Sequence, residues 1–148
     1  MDLTIELERL LAALEAAEAP YALAGGLALA VHGVVRATLD IDLLVPGEAL
    51  EQVSEVARNR GFRGSTELRF SSGLEIRRLV KIVEEDTLVL DLLRAETTDA
   101  EALRSRERSR LGDLEFWVVS RDGLRRLKTA AGRDQDLADL RRLKELDG

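Results

Sequence analysis

The sequence predicts an α/β (α+β) fold in which helices cover a mixed β-sheet, and three observations carry that prediction. Leucines at helical spacing alternate with short apolar runs that end in glycine or proline. Two of those runs flank the acidic Glu84-Glu85-Asp86, which suits a tight turn between antiparallel strands. Near the end of the chain Leu137, Leu140, Leu143 and Leu146 are spaced to share one helix face. Alternating elements of this kind bury their apolar sides only by layering helices on a sheet.

Taken in order, Leu3, Leu7, Leu10, Leu11 and Leu14 predict an amphipathic helix that ends before Pro20. The segment YALAG reads as a short buried strand, and Gly25-Gly26 turns it into a second helix, LALAVHG. RATLDIDLLV is the next strand, stopped by Pro46-Gly47, and ALEQVSEVARNRG is a helix stopped at Gly61. LEIRRLVKIV and TLVLDLLRA follow as strands. A helix is expected from Thr98, RSRERSRLGD is expected to be charged and irregular, and LEFWVVS to be a last short strand. Ser120 is placed to cap a helix through Leu124 and Leu127, ahead of the final leucine-faced helix.

Composition narrows the function. The 148 residues are 45% hydrophobic and 34% charged, the profile of a folded chain, and only 3% are aromatic, so Leu, Val, Ile and Ala must form the core. No repeat, low-complexity tract or linker divides the sequence, and residues 1–148 are expected to form one domain. The absence of cysteine excludes a disulfide framework and a thiolate metal site. Residues 21–35 are apolar but interrupted by Gly25, Gly26, His32 and Gly33, and no basic cleavable leader precedes them, so no membrane association is expected and a cytoplasmic location is the default. A net charge of −6 disfavours a broad non-specific grip on nucleic acid while leaving room for a nucleotide held with metal.

The chemistry concentrates on two strands. Side chains alternate along a strand, so Asp40 and Asp42 project from one face while Leu39, Ile41 and Leu43 point the other way. Two converging carboxylates repel unless a cation offsets them, and hard oxygen donors suit Mg²⁺ or Mn²⁺. Asp91 is the one acid within TLVLDLLR and would complete the site if its strand lies beside the first. Three carboxylates can hold two ions, which serve phosphoryl transfer by activating a hydroxyl and stabilising the leaving pyrophosphate. A D-x-D pair alone is more often an exposed pair of acids, and Asp91 serves equally well as a capping residue. The Gly25-Gly26 turn supplies context, because glycines permit close approach to a phosphate; a plain tight turn is the competing reading.

The run AGGLALAVHGVVRATLDIDLLV resembles the signature of the DNA polymerase beta-like nucleotidyltransferase superfamily. More narrowly, His32-Gly33, Arg36, Thr38 and Asp40-Ile41-Asp42, with the tail LKTAAGRDQDLADLRRL, resemble the AbiEii/AbiGii toxin-like nucleotidyltransferase group. The resemblance covers nearly the whole chain. It implies a minimal nucleotidyltransferase fold and magnesium-assisted transfer of a nucleotide from a nucleoside triphosphate. It also implies Asp91 as the third acid, Lys128 in contact with the nucleotide phosphates, and Arg133, Asp136 and Asp139 near the pocket.

Each of these residues has a plainer alternative. Lys128 could be a solvated helix lysine, and Asp136 and Asp139 could simply pair with Arg133, Arg142 or solvent. Arg36 either binds phosphate or pairs with an acid on its own strand. His32, the lone histidine, reads as a packed, hydrogen-bonded residue at a helix end, and Trp117 as core. The arginines of RSRERSR could meet an acidic acceptor such as RNA, although exposed mixed charge explains them as well. Two functions therefore stay open. In one, Asp40, Asp42 and Asp91 bind metal, Gly25 and Gly26 cradle the triphosphate, and an unidentified hydroxyl on RNA or protein accepts the nucleotide. In the other, the pocket only binds nucleotide or a partner, as a regulatory subunit or as one half of a toxin–antitoxin pair with a cognate antitoxin.

Overall fold

The structure is a computed structural model that describes residues 1–34 and 40–147. Along the chain run α1 (Leu3–Ala16), β1 (Ala22–Ala24), α2 (Gly25–Val31), β2 (Asp40–Val45), α3 (Leu50–Asn59), β3 (Arg63–Arg69), β4 (Glu75–Val83) and β5 (Asp86–Arg94). Then come α4 (Ala100–Arg104), β6 (Glu107–Leu111), β7 (Leu114–Val118), α5 (Arg121–Ala131) and α6 (Asp134–Asp147). Among the described residues seven strands form one mixed sheet in the order β3-β4-β5-β2-β1-β7-β6. Its centre is the parallel pair β2/β5, with β1 antiparallel to β2 and β4 antiparallel to β5. None of the helices among the described residues is long and apolar enough to cross a membrane.

The two faces of the sheet differ because the strand pattern differs by one residue. Ile41 and Leu43 of β2, Leu79 of β4 and Leu88, Leu90 and Leu92 of β5 are each 0% exposed, and each such leucine contributes about 2 kcal/mol of burial. Helices α1 and α3 lie on this side. Lys81, on the same face of β4, donates to Glu6 of α1 at 2.7 Å, and Arg77 donates to Ser54 of α3 at 3.2 Å. Helix α1 forms as its leucine spacing requires, with Leu10, Leu11 and Leu14 sealed and Asp2 capping the amides of Thr4 and Ile5. The opposite face carries Asp40, Asp42, Asp91 and Arg78, and along β4 and β5 its apolar members Ile76, Val80, Val89 and Leu93 are only half-buried and Ile82 is exposed.

Three expectations are corrected. Strand β3 was not foreseen, because RGSTELR lacks apolar alternation; it is an edge strand exposed at nearly every position, held by backbone pairing to β4. RSRERSRLGD is not irregular: residues 107–111 form β6, the other edge, antiparallel to β7. Edge strands tolerate charge because one side has no partner strand to reject it. In α6 the inward face is Asp136, Asp139 and Leu143, whereas Leu137 and Leu146 are 46% and 45% exposed. The leucine stripe predicted the helix but not its orientation. Ser120 does cap α5, accepting from the amide of Gly123 at 3.0 Å.

Candidate active site

Strands β2 and β5 run side by side in parallel, and the register sets Asp42 directly beside Asp91, with Asp40 beside Val89. Pleating sends Asp40, Asp42 and Asp91 to one face of the sheet. They differ in environment: Asp40 is exposed, Asp42 half-buried, and Asp91 only 7% exposed. Neighbouring Ala24 of β1 pairs with Asp42, which brings the following glycine against the same carboxylate. Gly25 has φ +64°, and a Cβ added there would stand 2.1 Å from Asp42 Oδ2. A side chain is thus excluded twice over, by backbone hand and by contact. Gly26 is buried behind it in α2, a helix of 7 residues.

Arginine 78 completes this cluster, and the sequence reading missed it. On β4 it lies opposite Asp91, and its Nε and Nη2 donate to Asp91 Oδ1 and Oδ2 at 2.8 and 2.9 Å. This is the two-pronged geometry in which guanidinium and carboxylate fit best. The hydrogen bonds to Asp91 raise the Arg78 pKa; burial opposes them, and the charges of Asp91, Asp40 and Asp42 add to the rise. The three acids share one face of the sheet. Among the described residues no group of three or more His, Asp or Glu side chains is arranged to hold a metal ion, and the Asp91 carboxylate is engaged by Arg78 instead. The signal for Arg78 lay in the hairpin: counting outward from Glu84-Glu85 in both directions pairs Arg78 with Asp91.

The tail motif builds a second cluster. Gly132, at φ 63°, ends α5 in the left-handed conformation and lets α6 fold back against it. Lys128 is buried, with Nζ 3.1 Å from both Asp136 Oδ1 and Asp139 Oδ2. The ammonium is held between two acids that are 0% and 2% exposed. Arg133 donates through Nε to Asp136 Oδ2 at 2.7 Å and through its amide at 3.2 Å. Burial alone would raise the Asp136 pKa, but hydrogen bonds from Arg133 and Lys128 and their charges hold it below the usual carboxylate range. The Arg133 pKa is raised by its hydrogen bond to Asp136 against the effect of burial, with further contributions from Asp136, Asp42 and Asp139. Arg133 thus stands in the field of both clusters.

Other predicted residues fall as follows. Arg36 and Thr38 lie outside the described residues. His32 is the hydrogen-bonded residue expected at a helix end, with Nε2 2.8 Å from the carbonyl oxygen of Val119. Trp117 is half-buried, packed on the core from one side while the guanidiniums of Arg106 and Arg108 lie 4.3 and 4.7 Å from the centre of its ring. The other arginines of that stretch are matched to acids, Arg104 with Glu101 and Arg110 with Glu115, as is Arg108 with Glu15.

This arrangement has relatives of known structure. A candidate nucleotidyltransferase from Thermotoga maritima superimposes with a TM-score of 0.71 at 12% identity, covering 96% of this chain and 92% of that one. ANT(2'')-Ia in complex with adenylyl-2''-tobramycin gives a TM-score of 0.65 at 16% identity over 99% of this chain and 89% of that one. JHP933 from Helicobacter pylori gives 0.61 at 14% identity over 96% and 64%. At such identities the likeness establishes the nucleotidyltransferase fold. No curated protein sequence matches the chain. The family model for aminoglycoside-2''-adenylyltransferase matches residues 6–143. A match over that span, on this fold, makes the chain a member of the aminoglycoside-2''-adenylyltransferase family and a nucleotidyltransferase enzyme.

Proposed function

We propose that the enzyme transfers a nucleoside monophosphate from a nucleoside triphosphate to a hydroxyl of a small polycationic acceptor, releasing pyrophosphate, with Asp40, Asp42 and Asp91 as the metal ligands. The observation that carries this reading is the register of β2 and β5, which sets Asp42 beside Asp91 with Asp40 on the same face. The donor set suits Mg²⁺ or Mn²⁺, being entirely carboxylate oxygen, and Gly25 leaves the Asp42 carboxylate the space that a Cβ would fill. When bound, divalent ions supply charge stabilisation for the triphosphate and its leaving group.

The chain's own residues orient and exchange protons. The acceptor oxygen bonds to the α-phosphorus as the bond to the bridging oxygen of the β-phosphate breaks, and the hydroxyl proton passes to Asp91. The Gly25-Gly26 turn lets the triphosphate come close to the backbone. Arg133, whose side chain is 75% exposed, reaches toward the phosphates. Lys128 acts indirectly, holding Asp136 and Asp139 so that Arg133 is aimed.

A small polycation is favoured as acceptor over RNA. The chain carries a net charge of −6, and three of the four arginines that suggested RNA, Arg104, Arg108 and Arg110, are paired with Glu101, Glu15 and Glu115, while the fourth, Arg106, lies over the Trp117 ring. Tobramycin, the adenylylated acceptor in the ANT(2'')-Ia complex, is the first compound to try. The experiment incubates the enzyme with Mg²⁺, each of the four ribonucleoside triphosphates, and tobramycin or RNA, then measures pyrophosphate release and acceptor mass. Metal-dependent release with a nucleotidylated acceptor is expected. A chain that served only as the nucleotide-binding partner of an antitoxin, as the AbiEii/AbiGii likeness suggests, would release none. Absence of metal-dependent nucleotide binding would end the proposal.

A further inference from the structure

The Arg78–Asp91 pair is an odd element in a site that must admit divalent ions. Asp91 sits on β5 between Leu90 and Leu92, both 0% exposed, and its carboxylate has little access to water. A charge so placed needs a partner. Arg78 supplies one with both prongs, at 2.8 and 2.9 Å, and no proton loss can relieve it, because a guanidinium stays charged in proteins. A guanidinium and a dication cannot share the same carboxylate oxygens without like-charge repulsion. One must leave. The two partners are unequally free to do so: the Arg78 side chain is 43% exposed and that of Asp91 is 11% exposed. Strand pairing fixes both backbones, so the exchange needs only rotation of the arginine side chain into water or toward an incoming triphosphate.

We propose that Arg78 is a positioning residue that serves as the internal cation of the site, holding Asp91 in the metal-free enzyme and surrendering it when a divalent ion enters. The inference rests on the reading of Asp40, Asp42 and Asp91 as metal ligands. It predicts that the enzyme binds metal weakly until the arginine is displaced, so that ion and triphosphate bind better together than the ion does alone. It also predicts that the conservative lysine cannot replace arginine fully, since an ammonium offers no planar fork to two carboxylate oxygens.

The test measures binding of Mn²⁺ alone, without nucleotide, by electron paramagnetic resonance on the full chain and on Arg78→Gln, Arg78→Lys and Asp42→Asn. Arg78→Gln should bind Mn²⁺ about tenfold more tightly than the wild type, since one competing positive charge is removed, with Arg78→Lys between them. Without metal Arg78→Gln should melt lower, and Mn²⁺ should raise its Tm more than it raises that of the wild type. A merely structural arginine would give the reverse, because loosening the site weakens metal binding. Unchanged or weaker Mn²⁺ affinity in a folded Arg78→Gln overturns the inference; if that variant fails to fold, Arg78→Lys decides in the same way. Asp42→Asn separates the layers. If it abolishes Mn²⁺ binding while neither Arg78 substitution tightens it, only the role of Arg78 falls; if Mn²⁺ binding ignores Asp42, the acid site itself falls and takes this inference with it.

Discussion

The molecule holds two clusters of aspartates served by arginine or lysine, one on the open sheet face and one between α5 and α6, and they have opposite designs. In the first, Asp40 is exposed, Asp42 is half-buried, and a glycine is kept bare beside the Asp42 carboxylate. In the second, Asp136 and Asp139 are 0% and 2% exposed and Lys128 is sealed in with them. The residue types are nearly the same; access is not. A carboxylate that can be reached from solvent can take a new cation, whereas one closed around an ammonium can only keep the one it has. The first cluster is built to exchange partners and the second to stay put.

The sharpest break of that contrast comes at Asp42. Asp42→Asn keeps the shape and removes the charge, and should lower nucleotidyl transfer by about a thousandfold, or ~4 kcal/mol, with circular dichroism and Tm near those of the wild type. Gly25→Ala attacks the same carboxylate from outside. Its φ of +64° and the 2.1 Å contact with Asp42 Oδ2 force the acid to move, so Mn²⁺ affinity should fall about tenfold or more, beyond the strain of about 1 kcal/mol that a left-handed alanine carries. Wild-type activity in either variant would show that the open cluster is not where the reaction occurs.

The closed cluster should respond in stability. Lys128→Met takes away the ammonium that the buried Asp136 and Asp139 both face and should cost about 3 to 4 kcal/mol, read as a lower denaturant midpoint. Were Lys128→Met as stable as the wild type but unable to bind nucleotide, the lysine would belong with the phosphates after all. The pH dependence follows from Asp136, whose carboxyl is held below its ordinary pKa in the folded chain. The unfolded chain therefore takes up this proton first as the pH drops, so the stabilisation is complete above about pH 4 and is lost below it. Asp136→Asn should be less stable than the wild type by about 2 kcal/mol at neutral pH, and the gap should close as the pH falls below 4.

How much of this was legible in the sequence follows the same division. Asp40, Asp42 and Asp91 could be read because strand alternation is local: a D-x-D within apolar residues fixes a face without knowledge of the rest of the fold. The neighbourhood of β2 and β5, and hence of Asp42 and Asp91, depends on a crossover through α3 and the hairpin of β3 and β4, which no local pattern encodes. Arg78 was missed for a different reason. Arg77 and Arg78 are adjacent, so one must face α3 and the other the acids, and only the hairpin register says which. The fate of Lys128 and of α6 was hidden because the inward face of that helix is made by two aspartates, while Leu137 and Leu146 look outward. Hydrophobic periodicity assumes that what is buried is apolar, and a buried ion cluster defeats it.

The smallest expected effect is also the one that tests whether the two clusters communicate. Arg133 binds Asp136 through three nitrogens, its Nε, its Nη2 and its amide, yet its side chain is 75% exposed and lies in the field of Asp42. Arg133→Gln keeps the backbone amide bond to Asp136 and removes an exposed charge, so the loss of stability should stay below about 1 kcal/mol. If the side chain also reaches the triphosphate, removing it weakens ground and transition states alike, and KM for the nucleotide should rise about fivefold with kcat little changed. A fall in kcat at constant KM would place Arg133 at the reacting centre, and no kinetic change would confine it to the closed cluster. Either result would redraw the boundary between the part of the molecule that exchanges cations and the part that only stores them.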